Sequence, residues 1–112
     1  FIAVADVRRE SDTFGEVFTA EICETNARQV YISPGLAWGY CTLSDEADIH
    51  QKFSCLPDNI DEAGILWSDS DLKIQWPLQR PMVTLRDSQF PQMKQIQLST
   101  LPLYQQRHTI LA

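Results

Sequence analysis

Histidine is scarce in this chain: only His50 and His108 occur in 112 residues, and their separation argues against a histidine-based metal site. The three cysteines, Cys23, Cys41 and Cys55, form no CxxC pair, so neither a zinc ribbon nor a dithiol redox motif is indicated. Buried free thiols in a reducing cytosol are the expectation, and the cytoplasm is the expected compartment. A glycine-rich phosphate loop, a serine nucleophile elbow and a Cys–His dyad are all missing. No apolar run approaches the roughly 20 residues that span a bilayer, so a membrane protein is not expected. The chain opens on Phe1 without an initiator methionine, a basic n-region or an apolar h-region. It therefore reads as a processed chain or a fragment of a longer one. Positive charge is also short, with 9 Lys and Arg against 15 Asp and Glu for a net charge of −6. Such a surface repels phosphate backbones, which argues against nucleic acid as a partner. Two or three local cations can still hold a diphosphate on an acidic protein.

What is present is short, alternating and rich in turns. The length fits one domain with a single core. The central stretch is Tyr31-Ile32-Ser33-Pro34-Gly35-Leu36-Ala37-Trp38-Gly39-Tyr40, where Pro34-Gly35 forces a turn between two β-rich runs. Phe1–Val7 reads as a strand with Phe1, Ala3, Ala5 and Val7 on one face, and Asp6 with Ile2 and Val4 on the other. Further strands are expected over 17–23, 30–32, 38–43 and 72–76. The run 47–53 has the cleanest two-residue period, with Ala47, Ile49, Gln51 and Phe53 facing one way and Asp48, His50 and Lys52 the other. That phase turns Gln51 inward, where an amide must be hydrogen-bonded or line a cavity. It turns His50 outward, unless a bulge shifts the register. From Arg80 the text changes. Pro81 and Pro91 break the chain, and the Gln-rich segment from Lys94 reads as a tail that wraps or frays. Short strands at roughly ten-residue spacing imply an all-β sandwich or barrel.

Three segments carry a resemblance. Phe1-Ile2-Ala3-Val4-Ala5-Asp6-Val7-Arg8-Arg9 with Ser11-Asp12-Thr13-Phe14-Gly15 resembles the FDVAVDIRRGSPTFG stretch of dTDP-4-dehydrorhamnose 3,5-epimerases. The segment Ile32–Tyr40 is similar to that family's IPxGFAHGF, and Gly64–Pro77 to its GIxWDDPDLxIxWP. The resemblance covers residues 1 to about 92 and implies a cupin-type double-stranded β-helix (jelly roll), here truncated at the N-terminus. It divides the chain into a barrel domain over 1–92 and an irregular or short-helical tail over 93–112. It further implies a homodimer that acts on a dTDP-4-keto-6-deoxyhexose without metal or other cofactor.

In the family a histidine held by an aspartate removes a proton beside the 4-keto group, and a tyrosine returns one on the opposite face. Laid on this chain, the dyad aspartate falls on Asp87, with Arg86 in place of a lysine. A site carboxylate falls on Glu62, the histidine of AHGF on Trp38, and the tyrosine donor on Gln51. The base histidine belongs upstream of Phe1. An amide is far too weak an acid to replace a phenol, and an indole does not titrate, so the ordinary epimerase mechanism is not supported by these residues. The candidate site is therefore Trp38, Gln51, Glu62 and Arg86 for ligand contact, with Asp87 and Gln51 at catalytic positions. Each also has a plain reading: core or dimer contact for Trp38, satisfied inward amide for Gln51, solvated turn carboxylates for Glu62 and Asp87, and surface arginine for Arg86.

Three functions remain open at this point. One is an epimerase-like cupin with lost or altered activity and a pocket for a nucleotide-sugar ligand. Another is a non-catalytic β-barrel interaction module that dimerises through open strand edges. The last is the C-terminal piece of an active 3,5-epimerase.

Overall fold

The computed structural model describes residues 1–57 and 62–105. Its centre is β1, Ile2–Asp6, flanked by β2, Val17–Ala20, and β3, Leu36–Tyr40, in the sheet order β2-β1-β3. Both pairings are antiparallel. Val4 sits opposite Phe18 on one side and Trp38 on the other, and Ile2 sits between Ala20 and Tyr40. A central strand satisfies its backbone on both edges and buries both faces. Ala3, Val4, Ala5, Asp6 and Val7 are accordingly all buried, although the alternation alone suggests one inward and one outward set.

The turns follow from local chemistry. Gly15 takes φ 86° and its N–H donates to the Asp6 carbonyl at 2.7 Å, closing the β1–β2 connection. Gly35 takes φ 89° directly after Pro34, as the turn dipeptide requires, and β3 begins at the next residue. A Cβ there would stand 2.9 Å from Arg8 Cγ and 3.3 Å from Pro102 Cβ, so the turn also packs too tightly for a side chain.

The core lies on one face of the sheet. Ala5 and Val7 pack with Leu72 and Leu101, bordered by Val17, Ala37, Ile65, Ile74, Met93 and Ile96. Phe1 meets Trp76 edge to face at 5.7 Å on the same side. Asp69 organises this layer: its carboxylate accepts from the backbone N–H of Met93, Leu72 and Asp71 at 2.6, 2.9 and 3.0 Å. Burial opposes ionisation of Asp69, yet these three N–H donors hold its pKa below the ordinary carboxylate value.

A four-residue helix, α1, spans Leu85–Ser88 and is capped by Thr84, whose Oγ1 accepts from Asp87 N at 3.2 Å. Two 3-10 turns follow, Met93–Gln95 and Leu98–Thr100. Beyond them the chain wraps back onto the sheet. Leu101 is buried, Arg9 N donates to Pro102 O at 2.8 Å, and Tyr104 N donates to Arg9 O at 3.0 Å.

Several sequence expectations are corrected. No strand forms over 30–32, 47–53 or 72–76, and β3 ends at Tyr40 rather than running to Leu43. A two-residue period gives a segment an apolar edge but supplies no partner for its backbone, and no ladder forms at 47–53. All of 47–53 is exposed, so Gln51 does not point into the core. The cysteines are free as expected but not buried, since Cys23 and Cys55 are exposed and Cys41 is half-buried. Among the described residues, no helix is long and apolar enough to cross a membrane.

Candidate functional site

The sheet face opposite the core is open. Strand parity places Ile2, Val4 and Asp6 of β1, Phe18 of β2, and Trp38 and Tyr40 of β3 on this face. Val4, between Phe18 and Trp38, is buried, while its neighbours keep large exposed areas: Phe18 58%, Trp38 41% and Tyr40 49%. Trp38 and Tyr40 stack with centroids 6.2 Å apart and planes 19° apart, making one continuous aromatic surface. Beside it lies an open cavity of about 410 Å³, lined by Val4, Asp6, Arg8, Thr13, Phe18 and Leu36 among others. This open cavity has an apolar floor and a polar end.

The polar end is held by one carboxylate. Asp6 accepts from Arg8 Nε at 3.0 Å, Arg8 Nη2 at 2.9 Å, Arg8 N at 3.0 Å and Ser11 Oγ at 2.6 Å, and also from the Thr13 hydroxyl. The bond from Arg8 holds the Asp6 pKa far below the ordinary carboxylate value against the effect of burial, with the two hydroxyls adding to it. Arg8 is raised in turn, first by its bond to Asp6. This carboxylate is fully ionised and fully occupied, so it serves as an anchor and not as a base.

Glu62 is brought to Arg86, 24 residues on in sequence, which also bonds its neighbour Asp87. Arg86 Nη1 meets Glu62 Oε2 at 2.8 Å and Arg86 Nε meets Asp87 Oδ1 at 3.3 Å, and the guanidinium lies 5.8 Å from the Phe90 ring centre. Glu62 and Arg86 are exposed and Asp87 is half-buried. Two carboxylates on one guanidinium leave a local excess of negative charge, so an anionic ligand would have to displace one of them to reach Arg86. Asp87 has an arginine partner here.

Gln51 and His50 lie on exposed irregular chain. Of the five candidates, Trp38 alone belongs to the sheet, while three gather at α1. His108 lies outside the described residues. Among the described residues, no group of three or more His, Cys, Asp or Glu is placed to hold a metal ion. Phe18, Tyr40 and the Asp6–Arg8 pair are components that the sequence reading did not single out. For Asp6 a signal existed: a lone carboxylate in an apolar strand, with Arg8, Ser11 and Thr13 following within one turn.

An antiparallel-sheet protein with few helices, packed on one face and carrying aromatics around a cavity on the other, is the class these features define. Residues 1–95 match the family model for dTDP-4-dehydrorhamnose 3,5-epimerase, and the chain belongs to that family. It is 39% identical over 87 residues to a dTDP-4-dehydrorhamnose 3,5-epimerase of Shigella flexneri, covering 78% of this chain and 48% of that one. It is 34% identical over 87 residues to a dTDP-4-dehydrorhamnose 3-epimerase of Streptomyces niveus, covering 78% and 42%. Its fold matches the crystal structure of dTDP-6-deoxy-D-glucose-3,5-epimerase RmlC from Legionella pneumophila, solved in complex with dTDP-4-keto-L-rhamnose. That match has a TM-score of 0.76 and 26% identity over 95% of this chain and 57% of the other. The chain spans about half the length of the relatives it matches.

Proposed function

We propose that this chain is an epimerase-like member of deoxysugar-nucleotide metabolism that binds a dTDP-4-keto-6-deoxyhexose on its open aromatic face, with epimerase activity lost or altered. The observation that carries this reading is Trp38. It stands where the family motif has histidine, and it is stacked on Tyr40 beside the cavity. A flat indole–phenol surface suits a planar pyrimidine or the apolar side of a hexose ring. In this reading Trp38 provides stacking, Arg86 meets the charged part of the ligand by exchanging its bond to Glu62 for one to the anion, and Asp87 and Gln51 occupy catalytic positions without the chemistry those positions require. Residues 1–92 would form the ligand-bearing unit, working as a cytoplasmic homodimer without metal.

The test is solvent exchange. The protein is incubated in D2O with dTDP-4-keto-6-deoxyglucose, and deuterium entry at C5 and C3 is followed by NMR. Exchange requires only abstraction of a proton, so it reports any surviving base. Line broadening of the nucleotide without exchange supports binding with lost catalysis. Neither exchange nor broadening refutes the ligand reading and leaves a non-catalytic interaction module. Exchange at C3 alone identifies altered activity, of the kind named for the Streptomyces niveus relative.

A second reading, the C-terminal piece of an active 3,5-epimerase, is favoured by the chain's covering 48% of the Shigella flexneri relative. It predicts that exchange appears only when the remaining residues of such an enzyme are supplied.

A further inference from the structure

We infer that Glu16 and Phe18 form a subsite for an ammonium group, so that the sugar nucleotide this cavity prefers carries an amine on its hexose. The inference rests on the ligand reading above and deepens it, by naming the substituent that the sugar bears.

The register of the sheet puts both side chains on the cavity wall. Asp6 N donates to Glu16 O at 2.9 Å, one step beyond the Ala5–Val17 pair, so Glu16 stands opposite Asp6 on one side as Leu36 does on the other. Glu16, Asp6 and Leu36 thus make one cross-strand row on the open face, and Phe18, Val4 and Trp38 make the next. Residues two apart leave an extended chain on the same side, and Glu16 and Phe18 both line the cavity of about 410 Å³.

Charge decides what this wall accepts. The Asp6 carboxylate is already taken by Arg8, Ser11 and Thr13, and Arg8 is committed to Asp6 in turn. Glu16 is exposed, and among the described residues no lysine or arginine pairs with it. The cavity therefore holds one carboxylate without a counter-charge. That charge repels a diphosphate, so the hexose is the part of the ligand that faces Glu16. A neutral hexose would displace water from the carboxylate and return no counter-charge. An ammonium returns it, and the Phe18 ring, 58% exposed, attracts the same cation through its π face. Carboxylate and ring together discriminate an amine from a hydroxyl at one ring position, which an exposed carboxylate alone does only weakly.

The test compares three ligands by calorimetry at low ionic strength: dTDP-4-amino-4,6-dideoxyglucose, its hydroxyl analogue dTDP-6-deoxyglucose, and dTDP-4-keto-6-deoxyglucose. The amine should bind about tenfold more tightly than the hydroxyl analogue, and the ratio should shrink as salt is raised. Glu16→Gln keeps the shape and removes the charge, and should bring the ratio to about twofold or less. Glu46→Gln, at an exposed carboxylate that does not line the cavity, changes the net charge equally and should keep the wild-type ratio. Protection of β1 amides in both variants verifies that the sheet still forms. A wild-type ratio near one while the keto sugar binds, or a tenfold ratio that survives Glu16→Gln, overturns the inference and leaves the ligand reading standing. Failure of all three ligands to bind overturns both.

Discussion

Arg8 grips Asp6 through two parallel hydrogen bonds, Nε to Oδ1 at 3.0 Å and Nη2 to Oδ2 at 2.9 Å. The same guanidinium lies 4.9 Å from the Tyr104 ring centre. One ion pair therefore joins the end of β1, the β1–β2 turn through Ser11 and Thr13, and the returning C-terminal segment. Both side chains are largely shielded, 7% exposed for Asp6 and 19% for Arg8, so solvent screens the pair only weakly.

Removing one partner should be costly. Asp6→Asn leaves a shielded guanidinium without its counter-charge and should destabilise the fold by about 3 kcal/mol in chemical denaturation. The pH dependence has a definite sign. The folded Asp6 pKa lies far below its unfolded value, so its contribution is complete above about pH 4 and is lost as pH falls from there toward the depressed folded value. Wild type should lose stability steeply below about pH 4, and Asp6→Asn should show a shallower loss in that window.

Two substitutions probe the left-handed backbone positions in opposite directions. Lys73 takes φ 51°, a conformation that costs an L-residue about 1 kcal/mol, so Lys73→Gly should leave stability unchanged or raise it by up to about 1 kcal/mol. Gly35→Ala combines a positive φ with a Cβ 2.9 Å from Arg8 Cγ and should destabilise by about 2–4 kcal/mol. Thermal denaturation of both variants checks this. A rise in melting temperature for Gly35→Ala would contradict the packing described.

Ligand titration separates the two sequence candidates with the most different surroundings. Trp38→Ala removes the indole from the aromatic surface and should weaken dTDP-sugar binding about tenfold. Gln51→Ala changes an exposed amide on irregular chain and should alter affinity less than twofold, by about 0.4 kcal/mol at most. NMR shift titration of both variants measures the contrast.

The Arg86 cluster should matter little for stability. Its partners are exposed, with side-chain accessibilities of 45% for Glu62 and 43% for Asp87, so Arg86→Ala should cost under about 1 kcal/mol. Its bearing on charge is larger. Glu62→Gln leaves the guanidinium with one carboxylate instead of two and should tighten binding of inorganic diphosphate, measured by calorimetry at low ionic strength.

The sequence by itself determined what local chemistry controls. The alternation of Phe1–Val7 specified β1, Gly15 closed the turn after it, and Pro34-Gly35 placed the turn before β3. The three motifs in order were enough to indicate the family, because they combine turn residues and strand patterns at fixed spacing. Tertiary structure alone decided the rest. The run 47–53 has a strand's period but stays unpaired, because a ladder needs backbone groups from a distant segment. Gln51 is exposed for that reason. Arg86 meets Glu62, 24 residues earlier, only because the chain before α1 returns to it, whereas its contact with the adjacent Asp87 is local. The Gln-rich tail enters the core through Leu101, a residue no periodicity marks, because its burial is set by the distant sheet face it covers. A period records which side of a segment is apolar, whereas the covering surface comes from elsewhere in the fold.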